Sequence, residues 1–184
     1  MFPNPHFFGL KEYYIGITEK GGRKMDWMRG SYGNSLGLAG QQSCLKDYGP
    51  EPFVVNIEKA TLCNRNYRTA LWTGENLQVT LMCICAGDDI GLEIHPDVDQ
   101  FIRIECGRGI VKMGKEKNQL NYVRRVCGGD AIMVPAGMWH DVINTGGCPL
   151  KLYAIYAPPE HPRGTIHETK AAALAAERQN YSSK

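Results

Sequence analysis

Regular alternation of apolar and polar positions begins only in the second third of this chain. From Thr69 onward, short runs rich in β-branched and aromatic residues recur: Thr69–Trp72, Leu77–Cys85, Gln100–Glu105, Ile110–Met113, Ala131–Val134, Asp141–Asn144 and Leu150–Ala157. Gly or Asn punctuates most of the gaps, and short strands at this spacing predict an all-β sandwich or barrel. Phe53–Glu58 has the apolar content of a further element, but its periodicity fits a strand or a short helix equally. Near the end, Thr165-Ile166-His167-Glu168 reads as a capping box, and the alanine-rich run after it predicts a helix over 170–179.

Strand parity turns this pattern into a map, because residues two apart face the same side. His140, Val142 and Asn144 share one face. Gln100, Ile102 and Ile104 share another and are predicted to line the interior, which leaves Phe101, Arg103 and Glu105 outside. On the flanking strands, where parity is open, Arg68, Trp72, Cys83, Cys85, Met113, Tyr153 and Tyr156 are within reach of a cavity. Trp139 is expected to point away from the His140 side, and His161 and His167 to lie on the surface. Residues 1–48 hold no period and are rich in Gly, Tyr, Asn and Ser. They are predicted to form an extension, flexible or draped over a partner, before a barrel over 49–164 and a helix and tail over 165–184.

Two stretches concentrate the chemistry. In the second, the order G-x5-P-x-G-x2-H-x3-N is complete at Gly129, Pro135, Gly137, His140 and Asn144. The first runs from Gly91 through Glu93, His95, Asp97, Asp99 and Gln100 to Gly107. Together they resemble the paired motifs of the cupin superfamily, whose members are jelly-roll (RmlC-like) β-barrels that usually hold one metal ion. The resemblance covers about residues 65–157. Its first motif normally reads G-x5-H-x-H, then three or four residues, then E-x6-G. Counting back from Gly107 puts Gln100 at the glutamate, His95 at the second histidine and Glu93 at the first, with Gly87 and Gly91 near the place of the opening glycine. Asp99 competes for the glutamate position through the spacer, but the distance to Gly107 favours Gln100. Asp97 and Asp99 are otherwise expected at the mouth.

The resemblance therefore implies a metal held by Glu93, His95, Gln100 and His140. The carboxylate has moved rather than vanished, so the set keeps the single negative charge of three imidazoles and one carboxylate. Such ligands suit one divalent transition metal, Fe, Mn, Ni or Zn, with coordination positions left open. Asn144 is read as a turn-tying amide. The pattern Glu-x-His-x4-Gln and the ending Ala157-Pro158-Pro159-Glu160-His161-Pro162 resemble compact single-barrel cupins described as mannose-6-phosphate isomerase-like. That likeness implies a metal-dependent isomerase or lyase-type enzyme on a small, polar, sugar-like substrate (sugar or uronate), with Glu93, Tyr153 or Tyr156 moving the proton. Two alternatives stand beside it: a non-haem Fe(II) dioxygenase, and a non-enzymatic barrel that binds a small ligand.

Composition narrows the partners. A formal charge of +2 with scattered basic residues, Arg124-Arg125 being the tight pair of the barrel region, argues against nucleic acid. No apolar run reaches membrane-spanning length, and the first residues lack the order of a signal peptide, so a cytoplasmic protein is expected. Seven cysteines, an odd number scattered through strand-like segments, suggest buried free thiols. Cys83 and Cys85 would face one side of a strand as a metal pair, yet no second pair stands at zinc-site spacing. Open sheet edges need covering, and cupin barrels commonly pair, so a homodimer is expected.

Overall fold

A computed structural model describes residues 45–182. In chain order the elements are α1 (Ile57–Cys63), β1 (Arg68–Thr73), β2 (Gln78–Ile84), β3 (Asp99–Cys106), β4 (Arg108–Gly114), β5 (Tyr122–Cys127), β6 (Ala131–Val134), β7 (Trp139–Asn144), β8 (Leu150–Ala157), β9 (Ile166–His167) and α2 (Lys170–Ser182). A six-stranded sheet in the order β6-β3-β8-β2-β1-β9 faces a three-stranded sheet in the order β5-β4-β7. This is the jelly-roll barrel with a C-terminal helix. Residues 1–44, which make up most of the expected extension, lie outside the described residues. Among the described residues no helix is long and apolar enough to cross a membrane.

Alternation builds the core. On β8, Leu150, Leu152, Ala154 and Tyr156 all point inward and are fully buried, and Ile102 and Ile104 of β3 and Val142 of β7 meet them. Each buried Leu or Ile contributes about 2 kcal/mol through removal of its side chain from water. A second, smaller cluster covers the other face of the large sheet. There Leu71, Leu81 and Ala60 pack with Leu45, Tyr48, Phe53, Val79 and Tyr153. The open choice at 53–58 resolves as an extended lead into a helix. Asn56 caps it, its side chain accepting from the Lys59 N–H at 2.9 Å.

Two local readings need correction. Strand β5 has only Val126 buried, so its sequence offers no alternation to detect. The capping box is displaced by four residues. Ile166 and His167 instead pair with Thr69 and Arg68 of β1, the Thr165 hydroxyl donates to the Pro162 carbonyl, and Thr169 accepts from the Ala172 N–H to start α2. Backbone pairing at the edge of a sheet outweighs a favourable cap sequence. Helix α2 is then tied to the barrel through Lys170, whose ammonium reaches Asp88 at 2.7 Å and Asp89 at 2.6 Å.

Of the motif glycines, Gly107 and Gly137 have φ of +98° and +74°, where a side chain is strained. At Gly107 a Cβ would also sit 3.0 Å from the Leu150 backbone. Asn144 closes the barrel at the far end of β7 from His140. Its buried amide donates to the carbonyls of Ile84, Cys85 and Cys148 at 2.9–3.1 Å and accepts from the Gly146 N–H at 2.9 Å. Removing it leaves several of these groups unpaired. Asn144→Ala should lower unfolding free energy by about 3 kcal/mol, measured by urea denaturation; a loss below about 0.5 kcal/mol would contradict the tie.

Candidate metal centre

The first motif reaches the second through backbone pairing. Glu93 N–H donates to the His140 carbonyl and His140 N–H to the Glu93 carbonyl, both at 3.0 Å, across an isolated bridge outside the named strands. This pair sets the two side chains next to each other at the start of β7. His95 follows two residues later, and its carbonyl accepts the Gly137 N–H at 2.8 Å, which docks the Pro135–Met138 turn. Gln100 enters on β3, paired with Val134 of β6 and Tyr156 of β8, and is buried.

The side chains converge. His95 Nε2 and His140 Nε2 lie 3.3 and 3.2 Å from Glu93 Oε1, and the ligand atoms of these three residues all lie within 4.8 Å of one another. Each imidazole is oriented through its other nitrogen. His140 Nδ1 lies 3.0 Å from the Met138 carbonyl, which can only accept, so Nδ1 carries a proton and Nε2 is the nitrogen turned toward the centre. His95 Nδ1 lies 3.2 Å from the Glu160 carboxylate, a contact short of a well-aligned hydrogen bond that has the same electrostatic sense. Glu93 faces Arg68 with its second oxygen, Oε2, at 3.8 Å.

Glu93 Oε1, His95 Nε2, Gln100 Oε1 and His140 Nε2 are all buried, and none has a well-formed hydrogen bond. Leaving such atoms unsatisfied costs about 1–3 kcal/mol each. Two imidazole nitrogens, one carboxylate oxygen and one amide oxygen fit a divalent transition ion, and the donor set accounts for all four orphans at once. Burial pushes the Glu93 carboxyl up, but the imidazoles of His140 and His95 and the charge of Arg68 outweigh it and hold the group well below the usual carboxylate range. Burial pushes the His95 imidazole down, but Glu160 and then Glu93 lift it to about 9.

Other candidates separate clearly. Asp99 is exposed, and its carboxylate accepts the Ala136 N–H at 2.8 Å, so it caps the turn and stays out of the centre. Tyr156 lies inside, edge-on to His95 with 5.6 Å between ring centres. Tyr153 lies on the opposite face of β8, in the outer cluster and beside Phe101, which removes it from the site. Trp139 is turned outward, with the Lys117 ammonium 5.3 Å from its ring centre. Arg68 and Met113 line the interior; Cys83 is only half-buried, and the other described cysteines are free and exposed rather than buried.

His161 is the larger correction. It is no surface residue: its ring stands edge-on to Tyr156 at 5.1 Å and its Nε2 is sealed from solvent. Glu160, beside it, was not among the expected site residues. The available signal was two polar residues held between prolines, directly after a strand with a buried face.

Residues 80–156 match the cupin domain family. The uncharacterized protein YrkC of Bacillus subtilis (strain 168) is 70% identical over 133 residues, 72% of this chain and 72% of that protein. The uncharacterized protein L612 of Acanthamoeba polyphaga mimivirus is 44% identical over 115 residues, 62% of this chain and 70% of the relative. Among solved structures, the BH2720 protein of Bacillus halodurans aligns with a TM-score of 0.70 at 62% identity, covering 71% of this chain and 98% of that one.

Elemental analysis should find about one transition metal ion per chain, lost in His140→Ala, while Glu160→Gln weakens affinity about 10–100-fold by releasing the His95 ring. Metal retained in full by His140→Ala would exclude this centre. Protons and metal also compete for His95. In the ion-free protein the stabilisation from its raised pKa is complete below about 6.5 and is lost as pH rises through about 9. The rise in melting temperature on adding Zn(II) should therefore be larger at about pH 8.5 than at about pH 6.5. An equal or smaller rise at the higher pH would show that no proton is displaced.

Proposed function

This chain belongs to the cupin family, and on that premise we propose that it is a metal-dependent enzyme of the isomerase or lyase class acting on a small, polar, sugar-like substrate. The observation that carries the reading is the convergence of three buried, unpartnered ligand atoms, those of Glu93, His95 and His140, in a barrel interior that also holds the unpartnered Gln100 amide oxygen and Tyr156 hydroxyl. A bound ion would polarise a substrate carbonyl or hydroxyl oxygen and ease loss of the neighbouring proton.

The chain's own groups divide the remaining work. Tyr156 keeps its proton, because burial and then the charge of Glu93 push its pKa up. It is therefore suited to donate a hydrogen bond or a proton to a substrate oxygen. Glu93 suits the role of ligand better than that of base, since its carboxyl is held ionised and one of its oxygens faces Arg68. Met138 and Glu160 hold the two imidazoles in one orientation.

A second reading has its own support. Glu93, His95 and His140 alone make a two-histidine, one-carboxylate cluster, the donor set of non-haem Fe(II) oxygenases. The two readings part in one experiment. Protein loaded with Mn(II), Ni(II), Zn(II) or anaerobically with Fe(II) is incubated with sugars, uronates and sugar phosphates, and products are followed by NMR alongside oxygen uptake. Isomerised or opened product without oxygen consumption is expected, with Tyr156→Phe lowering kcat roughly 100-fold at unchanged metal content. Oxygen uptake above the metal-free control would favour the oxygenase, and an unchanged panel would end the isomerase reading.

A further inference from the structure

Next to the ligand atoms, the inner wall carries a second group of polar atoms without partners. Thr80 of β2 and Tyr156 of β8 are fully buried, and their hydroxyls are near enough to influence each other, yet neither has a well-formed hydrogen bond. Arg68 is 1% exposed; Nη1 meets Glu177 at 3.3 Å and Nη2 faces Glu93, while Nε has no partner. The fourth atom is His161 Nε2.

His161 is held there deliberately by another chain segment. Its backbone N–H donates to the Gln78 side-chain carbonyl at 3.0 Å, and the Gln78 amide donates to the His161 carbonyl at 2.8 Å. Gln78 is itself fully buried. This two-point hold sets the ring against Tyr156 with its Nε2 buried.

Charge then limits what such a wall can take. A divalent ion and Arg68 would bring three positive charges, and Glu93, Glu160 and Glu177 bring three negative ones. His161 adds none, because burial and then Arg68 push its imidazole down to about 3. No net charge remains to attract an anion. The free atoms also differ in kind: Arg68 Nε–H only donates, two hydroxyls give and take, and the buried Nε2 of a neutral histidine accepts or donates according to tautomer. A carboxylate or phosphate can only accept, whereas sugar hydroxyls do both.

We propose that Thr80, Tyr156, His161 and the Nε–H of Arg68 form a hydroxyl-binding subsite beside the metal centre, and that it selects uncharged polyhydroxy or hydroxycarbonyl compounds over sugar phosphates and uronates. The subsite rests on the metal-dependent reading of the same barrel interior and names its substrate class.

Binding, read separately from turnover, tests it. Full-length Zn(II)-loaded protein is titrated with D-xylose, D-glucuronate and D-glucose 6-phosphate by calorimetry, with saturation-transfer NMR for weak binding. Xylose should bind at least 10-fold more tightly than either charged sugar. Thr80→Val and Tyr156→Phe, each nearly isosteric, should weaken it about 5–10-fold with metal content unchanged and melting temperature unchanged or raised. Tighter binding of a charged sugar, no binding of xylose, unaltered xylose affinity in both variants, or loss of metal from them would each overturn the proposal. Xylose bound as expected while the whole panel stays unconverted would remove the isomerase reading and leave the subsite. Conversion of xylose with KM unchanged in both variants would remove the subsite and leave the enzyme.

Discussion

Glu93 and His140 exchange two backbone hydrogen bonds across an isolated bridge, and the metal centre depends on that exchange. The residues lie in motifs far apart along the chain, and neither motif holds a complete ligand set. Pairing the backbones brings carboxylate and imidazole to 3.2 Å without asking either side chain to search for the other. His95, two residues on, is fixed through its carbonyl, which accepts the Gly137 N–H in the turn that launches β7. Two of the clustered ligands thus sit on the segment between β2 and β3, which this one bridge and the Gly137 hydrogen bond pin to His140 of β7.

Pinning of this kind has a thermodynamic consequence. The fold holds the three clustered donor atoms together and buries the Gln100 amide oxygen whether or not an ion is there, so their desolvation is borne by the barrel's apolar core. Ile102, Ile104, Leu150, Leu152 and Val142 supply that core on the same inner faces. On three strands of the large sheet the inward row changes from apolar to polar toward one end: Leu150, Leu152 and Ala154 lead to Tyr156 on β8, Ile104 and Ile102 lead to Gln100 on β3, and Ile84 and Met82 lead to Thr80 and Gln78 on β2. The antiparallel register aligns those changes at one level, so a packed half and a polar half share one barrel.

Electrostatic pairing spreads outward from the centre to the segments that close it. Glu160 faces His95, Glu177 of α2 meets Arg68, and Lys170 bridges Asp88 and Asp89. The C-terminal segment therefore bears directly on the site's charge. A buried arginine between two carboxylates is costly to strand if one partner is lost, which makes α2 a structural support of the centre rather than an appendage.

Local pattern carries much of this protein. Period-two alternation on β3 and β7 puts Gln100, His140 and Asn144 inside, and the spacing back from Gly107 singles out Glu93, His95 and Gln100, because strand parity and turn glycines act over a few residues. Tertiary structure decided the rest where local signals are mute. On β8 both faces are apolar, since residues 45–63 cover the outer one, so only the packed fold tells Tyr156 from Tyr153. His161 sits in a prolyl loop without period, and its place is set by Gln78, 83 residues earlier in the chain. The capping box at 165–168 gave way to pairing with β1, an interaction no window of neighbouring residues contains. Sequence determined which faces of the central strands turn inward, because that geometry is local; only the assembled barrel determined which polar atoms meet there, because those contacts join segments that are distant along the chain.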